Sequence, residues 1–457
     1  MPRGERNSMV RGSVAMSLPR CRAAALVIGS LLSPLITGSS AVAAPATVFR
    51  PLDPLHSGDT CFVSAISSDG SAVVGYCESA HQTEPVRWDV QGAQGLGFLA
   101  GSAACLTASV SGDGSVVTGV CDFPSGDSSV FRWDAVGGIQ DLGSLPDAPV
   151  CFLDRSNIIS FDGSVIAGDC ASEDMTINQA FRWDPIGGIQ GLGDLPNTTQ
   201  SLISGLSSDG TVVIGVSAPS DFSTSQGFRW NAVNGMEALT PLSTSFPYCS
   251  PTAASRDGSF VTGICDSSDK TTSVAVRWDA ANDVQSLGVP SGQTESFAFY
   301  ISEDGAVVAG DSDAGNSQFS HALRWDAVNG IVGLGVLPGF DGCETTSLSG
   351  DGSIQVGLCV ENGQNPAAFV WDAQHGVRDL RGVLADQGND LSGWLLSSGP
   401  VVSADGRTFA GTGTHAGDDG AWVAPEPSAA SEGALALACA GLCARGARAR
   451  LSRSLIG

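Results

Sequence analysis

Ten cysteines between residues 45 and 424 stand at set distances from a recurring Asp-Gly pair, and that spacing points to disulfide chemistry. The string S-x-D-G occurs eight times, with its Asp at Asp69, Asp113, Asp162, Asp209, Asp257, Asp304, Asp351 and Asp405. Cys61 and Cys77 each lie eight residues from Asp69. Cys105 and Cys121, Cys249 and Cys265, and Cys343 and Cys359 flank their own Asp in the same way. Cys151 and Cys170 stand eleven and eight residues from Asp162, as if three residues were inserted before the turn. Two strands joined at Asp-Gly and paired antiparallel place such cysteines opposite one another, within bridging reach. Two other units lack both partners together: Ser201 and Ser217 flank Asp209, and Ser296 and Ser312 flank Asp304. Five bonds within hairpins are therefore expected. Each closes a loop of about 16 residues, worth about 3 kcal/mol in the chain-entropy treatment, and each requires an oxidising compartment.

The remaining reactive residue types are dispersed. His56, His81, His321, His375 and His415 show no metal-ligand spacing, and neither a G-x-S-x-G elbow nor a phosphate loop occurs. Asp311 and Asp313 open a segment with a loose likeness to a calcium loop but without its later Glu. They are weak calcium candidates within what reads as a solvated loop. No catalytic residue and no cofactor site emerges. Six Arg-Trp pairs recur, and each Arg is expected to meet an Asp of its own or the next unit rather than a ligand.

The eight copies set the elements that carry these residues. Their Asp residues are 44 to 54 apart, and a Trp follows each by 17 to 21 residues. A unit reads as four short strands: one into the S-x-D-G turn, one out through V-V-G, one with the alternating Phe-Arg-Trp pattern, and one of the type Gly138-Ile139-Gln140-Asp141. Asp caps the turn locally and Gly takes the positive φ. Four strands in 45–50 residues is the size of a propeller blade. The expected fold is an all-β propeller of eight four-stranded blades, with seven blades and a divergent cap as the alternative. The last unit lacks its fourth strand, and residues 48–52 supply one, so the N- and C-terminal strands close the ring. The S-x-D-G turns share one face with the third turns. The second connections, which vary in length, lie on the other face. Function is expected on those loops, at Asp127, Asp174, Asp221, Asp269, Asp313 and Asp418.

Charge and the two ends bear on location. The ends hold nine of the 22 basic and three of the 47 acidic residues, which leaves 13 and 44 in the middle. Such a surface excludes nucleic acid as a partner. Residues 1–44 read as a signal peptide: Arg20 and Arg22, an apolar run over 23–36, then Ala41-Val42-Ala43. At the other end, Pro425, Glu426 and Pro427 precede an apolar segment over 433–444 and then Arg445, Arg448, Arg450 and Arg453. Residues 425–457 resemble the PEP-CTERM sorting signal. That resemblance implies an exosortase-type sorting machinery as partner, transient membrane contact through this segment, and the surface or extracellular matrix of a Gram-negative bacterium.

Residues 45–424 form the repeat domain. Ala180-Phe181-Arg182-Trp183-Asp184 and the run from Gly188 to Pro196 carry its motif most plainly. The motif resembles the HAF family of probable extracellular repeats, which implies export and no established activity. Two function classes follow. One is an exported, surface-anchored or secreted non-enzymatic protein that binds polysaccharide or partner proteins. The alternative is an extracellular carbohydrate-active enzyme, which requires carboxylates converging in one cavity.

Overall fold

In the first blade, Thr60–Ile66, Val73–Glu78, Thr83–Asp89 and Gly92–Gly95 pair in sequence order as an antiparallel meander. The computed structural model describes residues 48–80, 82–153, 158–174, 176–314 and 319–425. The readings at residues 1–44 and at Glu426, Pro427, Arg445, Arg448 and Arg450 fall outside them. The same meander recurs over 104–141, 150–191, 200–238, 248–288, 295–333 and 342–379. Alternation explains the third strand. Val86 and Trp88 are buried between blades while Arg87 is half-buried, and Phe131, Phe181, Phe228 and Phe369 fill the matching place elsewhere. Each core therefore sits between neighbouring blades, as where Val116 and Val130 pack on Ile166 and Phe181.

The S-x-D-G turn is built identically eight times. In the first, Ser67 Oγ donates to Asp69 Oδ1 at 2.8 Å, Ser71 N donates to the same oxygen, and Ala72 N donates to Ser67 Oγ. Asp162 receives Ser164 N–H, the Ser164 hydroxyl and the Ser160 hydroxyl, which together hold its carboxylate below the usual range. The glycine is needed twice over. Gly163 has φ +66°, and a Cβ there would lie 2.5 Å from Val116 of the preceding blade.

The turns then bond to one another around a circle. Ser68 N donates to Gly112 O, Gly112 N to Phe161 O and Phe161 N to Ser208 O. Asp209 N donates to Arg256 O, Arg256 N to Glu303 O, Glu303 N to Gly350 O and Gly350 N to Ala404 O. Asp405 N returns to Ser68 O. This closed circuit passes through every unit, so the ring has eight blades and the seven-bladed alternative falls. The eighth blade comprises Trp394–Leu395 and Val401–Val402, both paired with Thr408–His415, then Asp418–Pro425 and the N-terminal Arg50–Pro51, which pairs with Val423 and Trp422. Phe49 stacks on Trp422 at 5.9 Å, and Leu52 N donates to Ala421 O. The last strand runs through Pro425.

Five disulfides join Cys61–Cys77, Cys105–Cys121, Cys151–Cys170, Cys249–Cys265 and Cys343–Cys359, with Cα atoms 3.9–4.1 Å apart. Each pair is directly opposed in the ladder between first and second strands. Two features differ from expectation. A helix, Leu380–Asp386, capped by Asp379 and burying Leu380 and Leu384, interrupts the all-β pattern before the last blade. The first strand of the third blade is also only Val150–Phe152, followed by a lone bridge between Ile159 and Ile166.

Candidate functional site

The first strands of seven blades, with Ile159 and Phe161 in the third, line an axial cavity of about 240 Å³, from Ser64 and Ser109 round to Ser347 and Val401. Six of these strands carry a bulge just before the turn, as between Val63 and Ala65, which twists the chain into the circuit of turns. The mouth of the cavity on this face is framed by the x residue of each S-x-D-G. Five of them are small: Ser68, Gly112, Ser208, Gly350 and Ala404. Three are large and meet one another. Arg256 Nη1 lies 2.9 Å from Glu303 Oε2, and its guanidinium sits 4.7 Å from the centre of the Phe161 ring. Phe161 occupies space that Gly112 leaves open, since a Cβ on Gly112 would fall 2.1 Å from the ring. Arg256 and Glu303 are the only charged side chains lining this cavity among the described residues.

Sequence reasoning placed the site on the opposite face, and the loop carboxylates there turn out to be locally committed. Asp174 accepts from Ser172 Oγ, Thr176 N and Thr176 Oγ1. Asp269 accepts from Ser267 Oγ, Thr271 N and Thr271 Oγ1. Asp127 takes Ser125 Oγ, and Asp221 takes Ser223 N. These are the same side-chain turns as S-x-D-G, with partners inside their own loops. Asp418 begins a strand opposite His415. The signal for the mouth residues was present in the sequence: x is the one freely varying position of the turn motif, and it takes Phe, Arg and Glu in three copies.

Asp311 and Asp313 also read differently in three dimensions. Both belong to the strand Val307–Asp313 rather than to a loop. Asp311 is 7% exposed, and its Oδ1 accepts from Thr345 N of the next blade at 2.9 Å. Burial raises its pKa to about 7; the Thr345 bonds oppose this, and the charges of Glu344 and Asp313 add to it. It also helps burial raise the Tyr300 phenol to about 12. No group of three or more His, Cys, Asp or Glu among the described residues is placed to hold a metal ion.

The Arg-Trp residues pair as expected in four blades: Arg87 with Asp89, Arg132 with Asp134, Arg182 with Asp184, and Arg324 with Asp326. In the seventh blade Arg378, from the fourth strand, reaches Asp372 instead. Arg277 departs from the pattern: it lies between the rings of Phe260 and Trp325 and donates to Gly305 O. Arg229 departs as well. Its partner position holds Asn231, and its buried Nε and Nη2 lack hydrogen-bond partners.

No family model and no curated protein matches the chain. Solved structures resemble it. A study of two prolyl endopeptidases has a TM-score of 0.50 at 10% identity, covering 78% of this chain and 55% of that one. The β-propeller domain of the Trilobed protease from Pyrococcus furiosus scores 0.43 at 10% identity, over 69% and 93%. TolB from Acinetobacter baumannii scores 0.34 at 15% identity, and the chain spans 61% of its length and 59% of its own. The chain is a β-propeller, and likeness at these identities speaks to fold alone.

Proposed function

We propose that this propeller is an exported, non-enzymatic binding protein whose ligand is a polysaccharide. The observation that carries this reading is the contrast between scaffold and variation. Eight turns share one hydrogen-bond pattern and one closed circuit, yet three of their x residues are large side chains that the circuit does not use. Rigid scaffolds with variable side chains at one rim are the usual form of a binding surface. The five disulfides fit an oxidising compartment. In this reading the chain is an HAF-type repeat protein. Residues 1–44 export it, and residues 425–457 act as a PEP-CTERM signal that an exosortase-type machinery reads before the protein reaches a Gram-negative cell surface or matrix. The test is a glycan array probed with the purified full chain. Retention of at least one polysaccharide class supports the reading, and an array with no signal overturns it. Mass spectrometry of the mature C-terminus tests the sorting step, which predicts loss of the terminal Arg cluster.

A further inference from the structure

We infer that the cavity mouth on the S-x-D-G face binds a neutral, hydroxyl-rich ligand the size of a single sugar ring, gripped by Arg256 and Glu303. This rests on the binding role proposed above and names its site and ligand class. The fold does not require these two side chains. The backbone bonds of the circuit form as well at Ser68, Gly350 and Ala404 as at Arg256 and Glu303. Neighbouring positions nevertheless make room for the large ones. Gly112 accommodates the Phe161 ring, and a Cβ on Gly350 would come within 3.1 Å of the Glu303 carboxyl carbon. Phe161 carries the guanidinium on its face and so fixes its direction.

Arg256 and Glu303 are not buried, with side chains 47% and 34% exposed. Their mutual contact uses one Arg N–H and one carboxylate oxygen, which leaves further donors and acceptors at the mouth. A sugar hydroxyl both donates and accepts, so adjacent hydroxyls satisfy such a pair. An anionic ligand would have to displace Glu303 from Arg256 and approach a chain of formal charge −25. A bare cation would meet a single carboxylate already paired with Arg. Ser64, Tyr300 and Ser347 line the same cavity, with Ala65 and Ile66 beside them. The volume of about 240 Å³ lies just below the usual range for small-molecule sites, roughly 300–1,000 Å³. It therefore suits one terminal residue rather than a threaded chain.

The experiment is an array of neutral and uronic-acid glycans probed with the full chain, followed by titration calorimetry with the best-retained oligosaccharide. Arg256→Gln and Glu303→Gln test the pair. Ala404→Trp fills the mouth and leaves the charges of the pair in place. Asp174→Ala and Asp269→Ala test the opposite face. Melting temperature and disulfide content verify that each variant is folded. The expected result is a neutral glycan whose Kd rises at least tenfold in the three mouth variants and is unchanged in the two loop variants. Unchanged binding in all three mouth variants overturns this site and leaves the binding role standing, and loss in the loop variants would then place the site on the other face. Preference for uronic-acid glycans overturns the ligand class. An array with no signal removes this inference together with the binding role on which it rests.

Discussion

Asn231 is the one Arg-Trp-Asp position at which the acid is replaced by its amide, and the cost falls on Arg229. Arg229 is 9% exposed, and burial lowers its pKa against the pull of Asp279 and Glu237. Asn231 Oδ1 caps Val233 N and Asn234 N, as Asp134 caps Val136 N and Gly137 N, so Asn231→Asp keeps the turn and adds a charge partner. We expect a stabilisation of about 1–2 kcal/mol, read by denaturant unfolding at pH 7; no gain would mean that another group already compensates Arg229. Asp311 gives the second residue-scale prediction. Its carboxyl titrates near 4 when unfolded and near 7 when folded, so between those values the folded state holds a proton that the unfolded chain has released. The linked stability is complete below about pH 4 and is lost as pH rises through 7. Asp311→Asn, which still accepts from Thr345 N, should flatten the fall in melting temperature between pH 5 and pH 8. An equally steep fall in the variant would show that Asp311 is not its source.

At the scale of the hairpin, the serine pairs show what replaces a disulfide. Ser201 and Ser217 are directly opposed in the ladder, as the cysteines are elsewhere. Ser201 Oγ accepts from Ala180 N of the preceding blade and donates to Gly193 O. Ser217 Oγ bonds Thr198 Oγ1 and Gln200 O. The register predicts that Ser201→Cys with Ser217→Cys forms a sixth disulfide. The gain should fall short of the nominal ~3 kcal/mol, because these hydroxyl bonds are lost with it. Peptide mapping without reduction checks the link, and chemical denaturation checks the increment; a free dithiol would contradict the register. The hairpins were legible because Asp-Gly, alternation and symmetric cysteines all act within about 20 residues. The helix Leu380–Asp386 was missed although Asp379 is a cap and Leu380 and Leu384 stand at i and i+4. Seven helical residues, about two turns, inside a strand repeat offer too short a period to outweigh their surroundings.

For the whole molecule, closure depends on a strand of two residues and its buried neighbours. Phe49 is 8% and Leu52 4% exposed, and both pack in the last blade's interfaces. Deleting residues 45–56 removes the partner of Asp418–Pro425 and leaves an unpaired edge. The expected outcome is a lower melting temperature and aggregation on heating, followed by light scattering. Unchanged melting and solubility would mean that the ring holds without its N-terminal strand.

The repeat number, the strand order within a blade, the five cysteine pairs and the closing strand could all be derived from the chain alone. Each is set by contacts near in sequence or by simple complementarity of the two ends. The count of blades needed the circuit of turn-to-turn bonds, because a divergent last unit reads equally as a blade or a cap until Asp405 N is seen to reach Ser68 O. That x varies is visible in the sequence, but that its three large copies meet needed the tertiary structure. Phe161, Arg256 and Glu303 each occupy a position that looks unconstrained within its own turn. They meet only because the ring brings every first turn to one axis, where contact depends on ring radius and side-chain length rather than on local period. Asp311 moved from loop to buried strand for the same reason: its surroundings belong to the next blade, at a distance in sequence over which pattern carries no information about burial.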